Sequence, residues 1–258
     1  MDWGLVWAAA GVVLAALSAL IALIRWWQER EAKKGRASEF TIEGSSWVFE
    51  RGLSYEGLLQ RLIGLDHAAL AGLGDKTEGS AEQWAPVFEK SPETWGLVVF
   101  RGSFIVGYWS LFSISQKLVG ALKRGQLYDS KIVSQEVRQV SEPGPHSLYF
   151  VMIARHPDFS RAGGEIFRLM MRSMAQAMAS LRKDRVHIDA IYANATSAEG
   201  ESLCRTLGLE AFSTSVQGGQ VYKIEKFDLL EQRLARLGRL AGPRAPKELT
   251  EAEFATTP

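Results

Sequence analysis

Leu148-Tyr149-Phe150-Val151-Met152-Ile153-Ala154, the loop His156-Pro157-Asp158-Phe159-Ser160-Arg161-Ala162, and Gly163-Gly164 leading into Ile166, Phe167, Met170, Met171, Met174 and Met178 form the stretch on which the fold turns. The first run is almost continuously apolar, as a strand covered on both faces is. The last reads as a helix whose methionines recur at helical spacing, a stripe that fills the irregular space under a sheet. Buried strand, loop and helix in that order point to an α/β fold.

Upstream, Trp47 to Arg51 reads as a brief strand, Tyr55 to Leu62 has apolar residues at helical spacing, and a helix over 80–90 is capped by Ser80 and closed before Pro92. The clearest hairpin pairs Trp95–Phe100 with Phe104–Phe112 across Arg101-Gly102-Ser103. Residues 115–145 break this rhythm, with one apolar helical pattern near Leu118–Leu122, and end at Pro143-Gly144-Pro145. Downstream come a strand (Ile188–Ala193), a helix (197–207), two strands (210–215 and 221–225) joined through Gly218-Gly219, and an amphipathic helix near 229–240. The sequence therefore predicts a mixed central sheet of about six to seven strands flanked by helices.

Of 258 residues 47% are apolar and the mean hydropathy is −0.05, enough to build a core. Thirty basic against 29 acidic side chains leave a formal charge of +1, so no basic footprint for nucleic acid exists. The lone Cys204 excludes an internal disulfide and any cysteine cluster for a metal, and none is expected. Tryptophan is unevenly placed: Trp3, Trp7, Trp26 and Trp27 flank or border the uncharged run from Trp3 to Ile24. That run reaches about 33 Å as a helix, enough for a bilayer's hydrocarbon core, with aromatic side chains at both interfaces. A cleaved signal peptide would want a basic start and a shorter apolar run, whereas this begins Met1-Asp2. Arg25, Arg30, Lys33, Lys34 and Arg36 follow the span and only Asp2 precedes it, so the N-terminus is expected outside and the remainder in the cytoplasm, as in a single-pass protein of a bacterial inner membrane. The expected organisation is a transmembrane anchor (1–27), a basic juxtamembrane linker (28–46), a folded domain (47–226), an amphipathic helix (227–240) and a disordered tail (241–258).

The order of elements over roughly 47–226 resembles the GNAT superfamily of acyl-CoA-dependent N-acyltransferases. The resemblance is most specific at 148–172, where that family has a buried strand and a loop of the type Arg/Gln-x-x-Gly-x-Gly/Ala. Ser160-Arg161-Ala162-Gly163-Gly164 stands there, and a diphosphate wants converging backbone N–H groups at a helix start with glycine allowing close approach. If Gly163 is the first motif glycine, Ser160 replaces Arg/Gln and Glu165 the small residue; if Gly164 is, Arg161 fits and Ile166 does not. Asn194, then Leu203-Cys204-Arg205-Thr206-Leu207-Gly208-Leu209, resembles the family's strand ending near Asn and its helix ending Leu-Tyr-x-x-Leu-Gly-Phe.

The resemblance implies acetyl-CoA or another acyl-CoA as co-substrate, held by Arg161, Ala162, Gly163, Gly164 and Asn194, with the thioester carbonyl against a backbone N–H near Met152 or Ile153. Asn194 alternatively caps the next helix. Cys204 stands where a tyrosine commonly protonates the departing thiolate; it is either that acid or a small buried hydrophobe. By position the candidates for the general base are Glu136, His146, Tyr149 and His156, with Glu136 and Tyr149 preferred; His187 reads as structural. The expected function is acyl transfer to an amine acceptor, itself membrane-associated, on the cytosolic side. The alternatives are a degenerate acyl-CoA-binding or regulatory module tethered to the membrane, and a maker of a small acylated signal. The final helix and strand pair offer surfaces for a homodimer.

Overall fold

The apolar run around Phe150 becomes an interior strand of an eight-stranded mixed sheet in the computed structural model, which describes residues 39–70 and 78–239. In chain order the elements are β1 (Phe40–Glu43), α1 (Ser45–Glu50), α2 (Tyr55–Ala69), α3 (Ala81–Lys90), β2 (Trp95–Phe100), β3 (Phe104–Ile114) and α4 (Gln116–Lys123). Two single 3-10 turns (Asp129–Lys131 and Ser134–Glu136) lead to β4 (Val137–Arg138) and β5 (His146–Arg155). A further 3-10 turn (Pro157–Ala162) enters α5 (Gly163–Lys183), and β6 (Ile188–Ala195), α6 (Ala198–Leu207), β7 (Glu210–Thr214), β8 (Gln220–Ile224) and α7 (Phe227–Leu237) follow. The strand order is β1-β2-β3-β5-β6-β8-β7, with β4 beside the end of β3. Among the described strands only β5 and β6 run parallel, joined by α5 as the crossover.

Local chemistry accounts for most boundaries. Ser54, Ser80, Ser115 and Ser197 each precede a helix and accept a hydrogen bond from a first-turn amide. Gly208 ends α6 at φ +85°, where a side chain would be strained. Two expectations are corrected. Trp47 to Arg51 is no strand: Trp47 and Val48 are adjacent and both buried while Phe49 is 66% exposed, so the period of two that a half-covered strand needs is absent, and α1 forms instead. The first strand lies earlier, inside the segment expected to be linker, where Phe40 to Glu43 pairs antiparallel with β2.

The sheet buries different material on its two faces. One face carries Leu58, Leu59, Leu62 and Leu65 of α2, Trp84, Val87 and Phe88 of α3, and Leu118 and Leu122 of α4. The other carries Ile166, Met170, Met171, Met174 and Met178 of α5 with Leu230 and Leu234 of α7. The methionine stripe is therefore core, as its spacing predicts.

Near its middle, β5 changes partners. It pairs with β6 only from His146↔Ile188 to Phe150↔Ala193, after which the two strands part. On the other side β3 stays paired, but Ser110 opposes Met152 and Leu111 opposes Phe150, leaving Val151 as an inserted residue. This bulge turns Val151 and Met152 toward the same face, the one carrying α2 and α3, while Ile153 packs on the opposite face. Among the described residues no helix is long and apolar enough to cross a membrane; the run from Trp3 to Ile24, residues 240–258 and the anchoring expectation lie outside them.

Candidate functional site

Where β5 and β6 separate, the backbone groups of β5 that aimed at β6 lose their ladder partners. An opening of this kind in the middle of a sheet, beside a helix that starts just after the strand, is where a ligand can reach main-chain donors. Under the bulge lies a narrow cavity with room for about one water molecule, lined by Val151 and Met152 from β5, Ser110 and Tyr108 from β3, apolar side chains of α2 and α3, and three carboxyl groups, Asp66, Glu78 and Asp129.

The carboxyl groups come from separate parts of the chain. Asp66 sits in α2 four residues after Leu62, on the helix's apolar stripe, and is only 3% exposed. Its Oδ2 accepts a hydrogen bond from the Tyr108 hydroxyl, and the carboxyl also shares a hydrogen bond with Glu78. Burial pushes the Asp66 carboxyl well above the usual range, against the Tyr108 hydrogen bond and with the Glu78 charge and the hydrogen bond shared with Glu78 adding to the rise. Glu78 is 8% exposed; its Oε2 lies 2.7 Å from His67 Nε2, and its carboxyl shares the hydrogen bond with Asp66. Asp129 follows α4 in the first 3-10 turn, which Gln83 clamps by donating to the carbonyls of Asp129 (3.2 Å) and Ile132 (2.8 Å). Asp129 Oδ1 accepts from the Tyr149 hydroxyl at 3.0 Å. Burial raises the Asp129 carboxyl to about 7, more than the hydrogen bonds from Tyr149 and Gln217 lower it. Ser110 Oγ, fully buried opposite Met152, has no partner.

The second half of the site is the start of α5. Gly163 is buried, and a Cβ there would stand 1.6 Å from Arg155 Nη1, so the guanidinium at the end of β5 lies directly over the glycine. Beside Gly164 a Cβ would meet nothing within 4 Å. A fixed positive charge, a helix start and open space above a glycine suit an anion such as a diphosphate.

The sequence-predicted residues divide between these two places. Tyr149 reaches the cavity through Asp129, and burial together with the Asp129 charge pushes its phenol well up, so it remains a proton-bearing donor. Met152 lines the cavity, while Ile153 is half-buried on the other face. Ala162 and Gly163 are buried, Gly164 and Arg161 exposed. Arg155, not Arg161, covers Gly163. Asn194 is the first residue of β6 beyond its pairing with β5; its Oδ1 is buried without a partner, and Ser197 caps α6 in its stead. Glu136 is elsewhere: it receives Ser115 and Lys117, which hold its carboxyl below the usual range, next to the end of β3 that pairs with Ser147 rather than Met152. His146 is enclosed between Ser113 Oγ (2.8 Å) and the Glu142 carbonyl (2.8 Å). His156 packs against Phe104 and Phe159. Cys204 is buried on the α5 face with Leu207 and Leu209, and burial, with Glu201 adding, raises its thiol to about 11.

Asp66, Tyr108, Asp129 and Arg155 are site residues that the sequence pattern does not single out. Asp66 has a readable signal, since a carboxylate on the stripe of Leu58, Leu62 and Leu65 must be either paired or functional. Asp129, within the irregular 115–145 segment, has none.

No family model and no curated protein matches the chain. Among solved structures it is similar to the ribosomal-protein-S18-alanine N-acetyltransferase from Escherichia coli (13% identity, 71% of this chain and 90% of that one, TM-score 0.38). It is also similar to Ard1 from Thermoplasma volcanium (10%, 72% and 95%, TM-score 0.41) and to an acetyltransferase of the GNAT family from Staphylococcus aureus Mu50 (8%, 71% and 97%, TM-score 0.42).

Proposed function

We propose that the chain is an acyl-CoA-dependent N-acyltransferase of the GNAT type, moving an acyl group, most simply acetyl, onto an amine. The observation that supports this most is the parting of β5 from β6 after Phe150, with a bulge at Val151 that aims Met152 into a cavity holding a carboxyl group poised near neutral pH. In this reading acyl-CoA lies along the opening, its diphosphate at Arg155, Gly163 and Gly164 and its pantetheine arm against the unpartnered Asn194 amide oxygen. The thioester carbonyl rests on an amide of Met152 or Ile153, which stabilises negative charge as it develops on the oxygen.

The amine approaches from the cavity side. Its ammonium form must lose a proton before the nitrogen lone pair can attack, and Asp129, raised to about 7, is matched to take that proton near neutral pH, directly or through one water. Tyr149 orients the Asp129 carboxyl by donating to Oδ1. The nitrogen then bonds to the carbonyl carbon, the C–S bond breaks, and the thiolate leaves with its electron pair. A Cys204 thiol at about 11 is a weaker acid than an ordinary thiol, whose pKa is about 8.5, so it is a poor proton donor, and the leaving sulfur instead takes, through solvent, the proton that the nitrogen sheds on becoming an amide.

Residues 1–27 anchor the enzyme and place the domain on the cytosolic side, a reading that rests on the uncharged Trp3–Ile24 span and the basic residues after it. The buried Cys204 favours one competing reading, a tethered module that binds acyl-CoA without turning it over. Calorimetric titration of the full chain in nonionic detergent with acetyl-CoA and longer acyl-CoAs tests both. Binding of at least one, with release of free CoA in the presence of an amine, is expected. Binding without release selects the module, and no binding to any sinks both.

A further inference from the structure

The turn between β2 and β3 carries more surface chemistry than a hairpin needs. Its central residues Arg101 and Gly102 both sit at positive φ (+47° and +71°), a turn that Asn or Asp followed by Gly makes without strain. An arginine is held there instead, its guanidinium 4.9 Å from the centre of the Phe100 ring. A second guanidinium, that of Arg51, donates to the Gly102 carbonyl beside the Trp47 indole N–H (3.3 Å), so the end of α1 is clamped to the turn. Phe104, 46% exposed, follows the turn and rests on His156 and on Phe159 of the α5 face. Phe49, 66% exposed, stands on α1, whose Trp47 and Val48 pack on the other face. Two arginines and two exposed phenylalanines therefore border one turn, the mixture of cation and aromatic ring that settles in the headgroup region of a lipid surface. Glu39, Glu50 and Asp158 are also nearby, as are Arg155 and Arg161 in the loop after β5, so the basic excess is small and the contact is weak unless something holds it in place.

Resting on the reading that residues 1–27 span a membrane, the chain supplies that hold. Phe40, the first residue of β1, pairs with Phe100 immediately before Arg101, so the polypeptide from the span enters the folded domain at this turn. Fifteen residues separate Ile24 from Phe40, at most about 55 Å of chain when fully extended. A surface kept within that range meets lipid at a high effective concentration, and contacts too weak to bind alone then suffice. Five of the fifteen are Lys or Arg, which suits an anionic leaflet. We infer that the β2–β3 turn, with Arg101, Arg51, Phe104 and Phe49, is a membrane-facing surface that rests the domain on anionic lipid headgroups. Phe104 contacts His156 in the loop that enters α5, so a docked turn brings the proposed diphosphate site close to the lipid and favours an acceptor amine carried there.

The test is contact quenching on the full chain in vesicles. Ser103→Cys in the turn, or Thr214→Cys on the far edge strand β7 as a control, carries an environment-sensitive fluorophore; both positions are exposed, and the native Cys204 is buried and stays unlabelled. Vesicles are phosphatidylcholine alone or with about 30% phosphatidylglycerol, each with and without brominated acyl chains. Brominated lipid is expected to quench the 103 label at least about threefold more than the 214 label, and more strongly in the anionic vesicles. Arg101→Gly suits the positive φ of the turn and leaves folding intact, and it is expected to remove the anionic increment. Equal quenching at the two positions, none at 103, or no dependence on the anionic lipid overturns the inference. A 103 label that shifts blue with rising protein concentration in nonionic detergent, and is not quenched by lipid, assigns the surface to a second copy and overturns it too. Flotation separates this inference from the anchoring reading. A chain that floats with neutral vesicles and is not quenched at 103 keeps the anchor and loses this surface. One that floats only with anionic vesicles and is quenched at 103 keeps the surface and loses the anchor, and one that floats with neither loses both.

Discussion

The two faces of the central sheet are built to opposite rules. On the α5 face Met170, Met171, Met174 and Met178 interlock with Val106, Leu111 and Ile191, and all of these are essentially inaccessible to water. On the α2 and α3 face an equally apolar frame surrounds Asp66 and Glu78, carboxyls that share a hydrogen bond, Asp129, which accepts from Tyr149, and Ser110, whose Oγ has no partner. The first face gains stability from every atom it buries. The second gives some of it up by holding desolvated carboxyls, and buried groups held at a loss are what a binding site requires. A substitution that reduces volume should therefore hurt the first face, and one that removes charge should help the second.

The largest expected effect is on the packed face. Met174→Ala at a wholly buried position leaves a cavity between α5 and the sheet and should lower unfolding free energy by about 2–5 kcal/mol in denaturant titrations. A loss below about 1 kcal/mol would show that this face is loosely packed and that the contrast between the faces is false.

The next effect has the opposite sign. Asp129 is raised from its ordinary 3.8 to about 7, chiefly by burial, so the folded chain holds a proton on it that the unfolded chain has already released. Between about pH 4 and pH 7 the folded state therefore binds more protons, and stability falls as pH rises through that window. Asp129→Asn keeps an acceptor for Tyr149 and removes the charge. At pH 8 the variant should be more stable than the parent by roughly 2–4 kcal/mol, since each tenfold change in proton affinity between the folded and unfolded chain is worth about 1.4 kcal/mol; at about pH 4 the two should coincide. The same variant should lose acyl transfer by at least about a hundredfold. Parallel stability curves across this pH range would remove Asp129 from its place as the poised base.

The two faces also differ in how far they are legible in the sequence. The packed face announces itself, since methionines at helical spacing and a continuous apolar strand have few other solutions, and the hairpin from Trp95 to Phe112 is readable for the same reason. The polar face is assembled from residues distant along the chain, Asp66 in α2, Asp129 after α4 and Tyr149 in β5, and no local pattern ties them together. The bulge at Val151 is equally silent, because it is a register relation between β3 and β5 and not a property of either strand alone. Glu136 is a carboxylate in the right segment, but the chain folds so that Lys117 and Ser115 engage it, and the cavity receives Asp129, seven residues earlier. Trp47 to Arg51 misleads for a simpler reason, since aromatic and branched residues suit a strand only when their burial alternates.

A smaller effect lies at the edge of the opening. Gly163→Ala places a methyl group 1.6 Å from the present position of Arg155 Nη1, so the guanidinium must move. That displaced atom is the far end of a flexible side chain, and the folding midpoint should shift by under about 2 °C. Acetyl-CoA affinity should nevertheless fall about tenfold, about 1.4 kcal/mol, because the charge that faces the diphosphate is displaced. An unchanged affinity would mean that Arg155 does not serve the phosphate group.

The smallest effect concerns the residue for which the sequence leaves two roles open. Cys204 lies among Leu207, Leu209 and Ala195 on the packed face, and its thiol at about 11 would have to give its proton uphill to a departing thiolate of about 8.5. As a small buried hydrophobe it should follow the rule of its own face and not that of the other. Cys204→Ala removes one sulfur and should cost about 1 kcal/mol of stability, while the turnover rate and its pH profile stay within about twofold of the parent. Were turnover to collapse with stability preserved, the thiol would be acting on the leaving group, and the division of labour between the two faces would fail at the one residue of the packed face that carries reactive chemistry.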